Sequence, residues 1–312
     1  MERAGADGAS LDGVQIAVVG SLNVDTTMRV ERHPAPGETV LAAGHFTDTG
    51  GKGANQAVAA ARLGHRVAMI GMVGDDPTGD LLRRTLSDEG VDVSGVGTAV
   101  GIESGMAVIT VDASGENTIV VDPAANAAVT AYHVARFASV LRGAAVTLAQ
   151  LEIPIEAVAA AARLAGGRFV LNPAPAATVP AEVMARVAVL VPNRTEVARI
   201  TGGEPPRTPD EAMAVAGEIA GPEAVVVTLG SAGAVIVSGR FRRHVPAPGV
   251  TVVDPTAAGD AFCGGLAGAL ADGASLDDAV RWAVRCGAVA TTRWGAQSSL
   301  PSRSDVEALE GS

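Results

Sequence analysis

Lysine is almost absent from this chain of 312 residues: of its 23 Lys and Arg residues, only Lys52 is a lysine. Aromatic residues make up 3%, so a core drawn from the 48% hydrophobic content must be built of Val, Ala, Leu and Ile. The two cysteines, Cys263 and Cys286, are too few for a disulfide framework or a metal-ligand set. Both read as packed helix thiols of a reducing cytoplasm. No apolar run nears the roughly 18 residues of a bilayer span, so no membrane partner is expected. No basic run offsets the formal net charge of −11. Such a surface repels nucleic acid and anionic lipid, which leaves small molecules as the expected partners. Residues 1–13 are polar and rich in Gly and Ala, without the apolar stretch of a signal peptide, and read as a disordered tail.

What is present is a regular alternation. Strand-length apolar runs at 15–19, 67–73, 146–151, 169–171, 189–191 and 224–229 alternate with helical patterns at 55–63, 78–89, 155–165, 181–187, 210–220, 260–271 and 276–292. This order specifies right-handed βαβ units. Residues 14–312 are therefore expected to form a single three-layer α/β/α domain around a central, mainly parallel sheet, with ligands beyond the carboxyl ends of its strands. Two stretches break the pattern. Residues 26–49 hold short β-like pieces around Pro34, Pro36 and Gly37, and residues 104–122 hold a hairpin of 106–111 and 117–121. Lacking helices to cover them, these segments are expected to pair into a small β-sheet that acts as a lid. Val40, Leu41, Val108 and Ile119 are expected to be exposed on it and to favour a homodimer through the lid.

Two motifs carry chemistry. The first is Gly50-Gly51-Lys52-Gly53-Ala54-Asn55-Gln56-Ala57, a glycine-packed turn running into an alanine-rich helix. A compact ammonium enters narrow spaces that a flat guanidinium does not, and flanking glycines let a ligand approach the main chain. The alternative is a surface lysine that survived by chance. The turn is not a P-loop, because Gly53 follows the lysine where Ser or Thr should bind a metal. The second motif is Asp254-Pro255-Thr256-Ala257-Ala258-Gly259-Asp260, small residues leading into a helix. Unpaired N–H groups and a partial positive charge at that helix start suit an anion or a transferring phosphoryl group. Asp260 reads equally as a general base for an attacking hydroxyl or as an ordinary N-terminal capping carboxylate.

Together with Gly20-Ser21-Leu22-Asn23-Val24-Asp25, these motifs resemble the ribokinase family of sugar kinases, the PfkB superfamily. The likeness runs from about Val18 to Pro301. Gln150-Leu151-Glu152, Pro192-Asn193-Arg194-Thr195-Glu196 and Thr228-Leu229-Gly230-Ser231-Ala232-Gly233 follow in order. The Gly-Gly-Lys-Gly-Ala-Asn-Gln-Ala run and Gly295-Ala296-Gln297 point to the ribokinase branch. The resemblance implies a ribokinase-like fold and transfer of phosphate from ATP to the C5 hydroxyl of D-ribose. It places Asn23, Asp25, Gly51, Lys52, Asn55, Glu152 and Asp260 around the sugar. Thr228, Gly230, Ser231, Gly233 and Gly259 then meet the nucleotide, and Asn193 and Glu196 act near its phosphates and the hydration shell of Mg2+. Asp260 becomes the catalytic base and the amides of Ala257, Ala258 and Gly259 an anion hole. A K+ site is implied at Asp254, Thr256, Ala290, Arg293, Gly295 and Ser299, several acting through carbonyls. Taken as residues alone, Asp25 also reads as a turn former, Glu152 as a structural carboxylate, and Glu196 as a first-turn helix acid. Pro123-Ala124-Ala125-Asn126 replaces a more glycine-rich stretch of the family. Rival readings are a kinase for 2-deoxyribose, a ketohexose or a nucleoside, for which Phe46 is the aromatic candidate near the lid, and a sugar sensor without catalysis.

Overall fold

The computed structural model describes residues 13–309, so the tail expected at residues 1–13 lies, apart from Gly13, outside the described residues. From the N-terminus, β1 (Ile16–Val19), β2 (Asn23–Val30) and β3 (Ala42–Gly50) lead into α1 (Lys52–Arg62), β4 (Val67–Gly74), α2 (Pro77–Asp88) and β5 (Asp92–Ala99). The hairpin β6 (Gly105–Val111) and β7 (Asn117–Asp122) follows, then the short helices α3 (Ala131–Ala135) and α4 (Ala138–Gly143). Alternation resumes through β8 (Val146–Ala149), α5 (Ile155–Leu164), β9 (Arg168–Leu171), α6 (Ala181–Met184), β10 (Val189–Leu190), α7 (Arg194–Thr201), α8 (Pro209–Ala216) and β11 (Ala224–Thr228). The antiparallel strands β12 (Ala234–Ser238) and β13 (Phe241–Val245) precede α9 (Ala258–Ala271), α10 (Leu276–Ala290) and α11 (Arg303–Ala308).

One sheet has nine strands in the order β13-β12-β11-β10-β9-β8-β1-β4-β5. It is parallel from β11 to β5 and antiparallel at β12 and β13. In β1, the strand period of two splits the side chains between two cores. Ile16 and Val18 pack with residues of α1, α9 and α10, while Ala17 and Val19 pack with residues of α5 on the other face. That is the expected three-layer α/β/α arrangement. Small residues let α1 and α9 lie unusually close: a Cβ on Gly264 of α9 would come within 2.6 Å of Ala59 Cβ. Their N-termini, carrying Lys52 and Asp260, are thereby brought together beyond the strand ends.

The expected lid is a second sheet, ordered β3-β2-β6-β7. It is wider than the sequence pattern suggests, because β2 begins at Asn23 and β3 runs to Gly50. Leu41 and Ile119 are exposed as expected, and Val120 joins them at 73%. Val40 and Val108 are half-buried instead. Val108 lies mid-sheet, between Thr26 and Val120 in register, where neighbouring strands shield it. Strands β5, β12 and β13 and helices α3, α4, α7 and α11 have no counterpart among the expected elements. Gly and Ser interrupt the apolar pattern of β5, the exposed edge strand β13 reads Phe-Arg-Arg-His-Val, and β12 is masked by the glycine loop before it.

Candidate active site

The chain leaves β3 through Gly50 and Gly51. Gly51 has φ 87°, and a Cβ there would stand 2.8 Å from Asn23 N, so only glycine makes this turn. Lys52 opens α1. Its backbone N–H donates to Glu152 Oε2 at 3.0 Å, and Ser21 Oγ donates to the same oxygen at 2.6 Å. Gly53 N–H in turn donates to Ser21 Oγ at 3.3 Å. Glu152, three residues beyond β8 rather than on it, thus caps the open end of α1. Burial pulls the Lys52 ammonium down, but the carboxylates of Asp260, Glu152 and Glu196 outweigh it and hold its pKa above the ordinary lysine value. A chance surface survivor would have none of these neighbours.

Asp260 sits in the first turn of α9, but it is not the cap: that position is Ala257, in the left-handed region at φ 58° with no side-chain bond. Both carboxylate oxygens point inward instead. Oδ2 accepts from Asn55 Nδ2 and Oδ1 from Gln56 Nε2, each at 3.0 Å. Burial raises its pKa, opposed by Lys52 and by the amide donors of Asn55 and Gln56. Of the expected anion-hole amides, Ala258 N–H is turned onto Pro255 O at 3.3 Å.

Asp25, on β2, is raised to about 7 by burial and by Glu152, Asp48 and Asp260, against the pull of Lys52. Its Oδ1 and the Oδ1 of Asn55 are buried without a hydrogen-bond partner. Asn23 accepts from Asn126 Nδ2 at 2.7 Å, and Asn126 also exchanges bonds with the backbone of Leu22, at 2.9 and 3.1 Å. Asn126 therefore fixes the start of β2 from the stretch between lid and body. Ala124, two residues before Asn126, carries φ 38°, in the left-handed region that favours glycine.

On the other side, Asn193 caps α7. Its side chain accepts from Glu196 N–H, and Glu196 Oε2 accepts from Asn193 N–H, both at 2.8 Å. Burial raises the Glu196 pKa, with Asn193 N–H and Lys52 opposing and Asp260 adding. Asn193 bridges Thr228 in parallel, so the start of α7 adjoins the turn through Gly230, Ser231 and Gly233. Gly230 and Gly233 have φ 61° and 88°, and Leu229 N–H closes the turn onto Gly233 O at 2.7 Å.

The loop before α9 is tied to the C-terminal loop. Asp254 Oδ1 accepts from Thr256 N–H at 2.9 Å and Oδ2 from Gly295 N–H at 3.0 Å. Ser299 Oγ donates to Ala296 O, Arg293 N–H to Ala290 O, and the Arg293 guanidinium pairs with Asp305 at 2.8 Å, away from this loop. The lid reaches the same loop. Asp48 Oδ2 accepts from Ala296 N–H and Ser298 Oγ, each at 3.2 Å, and Thr49 Oγ1 donates to Gln297 Oε1 at 2.6 Å. Phe46, the candidate base platform, already carries the Arg29 guanidinium 6.0 Å from its ring centre, with Trp294 5.3 Å away on the same guanidinium.

The polar groups brought together from β2, α1, α7 and α9, under a β-sheet lid, define a site for a small polyhydroxylated ligand beside an anion. The chain belongs to the pfkB family of carbohydrate kinases, whose model matches residues 14–303. A ribokinase of Haemophilus influenzae is 37% identical over 95% of this chain and 98% of its own length. A deoxyribokinase of Salmonella typhimurium is 36% identical over 93% and 96%. The structure of an Arabidopsis thaliana ribokinase complexed with ribose and ATP matches with a TM-score of 0.87 and 32% identity, covering 95% of this chain and 98% of that one. Ser21, Gln56, Asn126, Gln150 and Asn172 are polar residues of this region that sequence reasoning gave no role. Ser21, Gln56 and Gln150 lie inside the motifs, so their position was visible and only their partners were not.

Proposed function

We propose that this protein is an ATP-dependent ribose kinase, giving D-ribose 5-phosphate and ADP. The observation that supports it most is the meeting of partnerless buried acceptors, Asp25 Oδ1 and Asn55 Oδ1, with the Lys52 ammonium and the Asp260 carboxylate. A sugar supplies the hydroxyl donors that these oxygens need. Asn23 and Asp25 form one wall of the pocket, Gly51, Lys52 and Asn55 another, and Glu152 a third contact. A carboxylate accepts from two neighbouring hydroxyls at once, which suits the cis-diol of ribose.

Asp260 takes the proton of the C5 hydroxyl, and that oxygen attacks the γ-phosphorus of ATP, whose bond to the bridging oxygen of ADP breaks. Phosphoryl transfer needs alignment and charge neutralisation more than covalent help. The amides of Ala257, Ala258 and Gly259 supply the neutralisation together with Lys52, once Ala258 N–H turns from Pro255 O to the phosphoryl oxygens. Lid closure keeps water from the acceptor position. Thr228, Gly230, Ser231 and Gly233 hold the nucleotide. Mg2+ neutralises phosphate charge when bound. Asn193 and Glu196 fit it through its waters, since Glu196 uses only Oε2 in the capping box. The set implied by the family resemblance, Asp254, Thr256, Ala290, Arg293, Gly295 and Ser299, several through carbonyls, would supply oxygen donors to K+ as an activator. Exposed Leu41, Ile119 and Val120 support a homodimer through the lid, which a monomer in sedimentation of the purified protein would rule out. The composition supports a cytoplasmic setting, checked by fractionating cells that express the protein.

A coupled assay of ADP release across pentoses, hexoses and nucleosides tests the substrate. Ribose is expected to exceed 2-deoxyribose in kcat/KM by at least about tenfold, because loss of the 2-hydroxyl leaves a buried acceptor unpaired. Parity or reversal favours the deoxyribose reading instead.

A further inference from the structure

Behind Asp260 lies a chain of buried side-chain amides drawn from α1 and the ends of β8 and β9, anchored on a backbone carbonyl beyond β10. Gln56 Nε2 donates to Asp260 Oδ1 at 3.0 Å and to Asn172 Oδ1 at 3.1 Å. Gln56 Oε1 accepts from Gln150 Nε2 at 2.6 Å. Asn172 Nδ2 donates to the backbone carbonyl of Val191 at 2.9 Å. All of these side chains are buried, Gln56 and Gln150 completely.

The last contact fixes the direction of the rest. A backbone carbonyl only accepts, so Asn172 must present its NH2 to Val191 and its oxygen to Gln56. Gln56 must then present its own NH2 to Asn172, and the same NH2 faces Asp260. The polarity of one main-chain group beyond β10 thus reaches the carboxylate as an N–H donor. We propose that Gln56, oriented by Asn172 and Gln150, is a positioning residue that holds Asp260 in the ionised form and in the direction needed to accept the proton of the sugar hydroxyl. It acts through Asp260 and touches neither sugar nor phosphate. Asn55 differs: it donates to the other oxygen, and its own partnerless Oδ1 is placed for a ligand. A purely structural role for Gln56 is the competing view, because a buried amide must be satisfied wherever it sits.

The proposal rests on Asp260 being the base, so the test separates the two ideas. Single-turnover rates are measured with saturating ribose and MgATP between pH 5 and 9, with ribose affinity measured alongside. The variants are Gln56→Met, Asn172→Leu and Asp260→Asn. Gln56→Met is expected to slow turnover about tenfold to a hundredfold, the range for losing a hydrogen bond to a charged group. Ribose affinity is expected to stay within about twofold. The acid limb is expected to move up by about one pH unit, because the ionised carboxylate has lost a donor. Asn172→Leu, which keeps the Gln56 contact but frees its amide to rotate, is expected to move the limb the same way by less, and it carries the test should Gln56→Met fail to fold. The charged and titratable groups facing Asp260 are Lys52 of α1, Glu152 beyond β8, Glu196 of α7, Asp25 of β2 and the Cys263 thiol one turn along α9, and all stay in place. A slower rate with an unmoved limb, or a loss confined to ribose affinity, overturns the positioning role. Near-normal turnover in Asp260→Asn overturns the base assignment instead.

Discussion

Asp25 and Asp260 are both carboxylates raised by burial, but they are held differently. Asp260 has amide donors on both oxygens and Lys52 nearby, which favour the ionised form. Asp25 has a buried oxygen without any donor and carboxylate neighbours, and its pKa stands near 7 against an ordinary 3.8. The folded chain therefore keeps a proton that the unfolded chain releases near 3.8. Stability from this group is fully present below that value and is lost as pH rises through about 7. Sugar binding at the proposed site is expected to have the opposite slope, because accepting from two hydroxyls needs the carboxylate. Measured kcat/KM for ribose is expected to climb from pH 6 to a plateau above 8, where Asp25 is ionised in the free enzyme. In Asp25→Asn the climb is expected to vanish, with affinity poor throughout. A wild-type profile flat across that window would remove Asp25 from the sugar pocket.

At the scale of elements, α7 carries a residue, Glu196, that caps the helix and in the proposed mechanism also faces the phosphates. Asn193 and Glu196 form a capping box, an arrangement that glutamine sustains as well as glutamate. Glu196→Gln is therefore expected to leave the thermal midpoint within about 2 °C, since a cap is worth about 1 kcal/mol and is kept here. Turnover is expected to fall at least about tenfold and the Mg2+ requirement to rise, because the charge proposed to face the phosphates is gone. A midpoint that drops with turnover would leave Glu196 a structural residue. The structural reading of this acid follows from its place in the first turn of a helix, and the phosphate reading comes from the family resemblance. The helix itself was not visible in the sequence, because its start is polar and its buried face rests on few apolar residues such as Val197 and Ala198. The central strands and the helices α1, α9 and α10 were legible because local periodicity and burial agree there. Gln56 was not, although it sits within the glycine-lysine motif. Its partners Gln150, Asn172 and Asp260 lie 94, 116 and 204 positions away, and nothing local sets the polarity of an amide.

Across the whole molecule, the lid and the loop before α9 share one support. Residues Asp48 and Thr49 of β3 bond to Ala296, Gln297 and Ser298, and Arg29 of β2 lies over Trp294. The adjoining Gly295 N–H holds Asp254, which in turn holds Thr256 N–H just before the amides proposed as the anion hole. A cation gathering the carbonyls of this loop would therefore set the seat of the lid and the start of α9 together. Without substrate, K+ is expected to change the fluorescence of Trp294, read in a Trp282→Phe background that leaves it the sole tryptophan. With ribose and ATP, turnover is expected to be several-fold higher in K+ than in Na+ at equal ionic strength. Thr49→Val removes the bond to Gln297 without altering any proposed cation ligand. In that variant the fluorescence response is expected to persist while the gain in turnover shrinks, because the loop still takes the ion but no longer holds β3. Equal rates in the two ions, after contaminating potassium is removed, would sink the activation; an unchanged gain in Thr49→Val would sink its transmission through the lid.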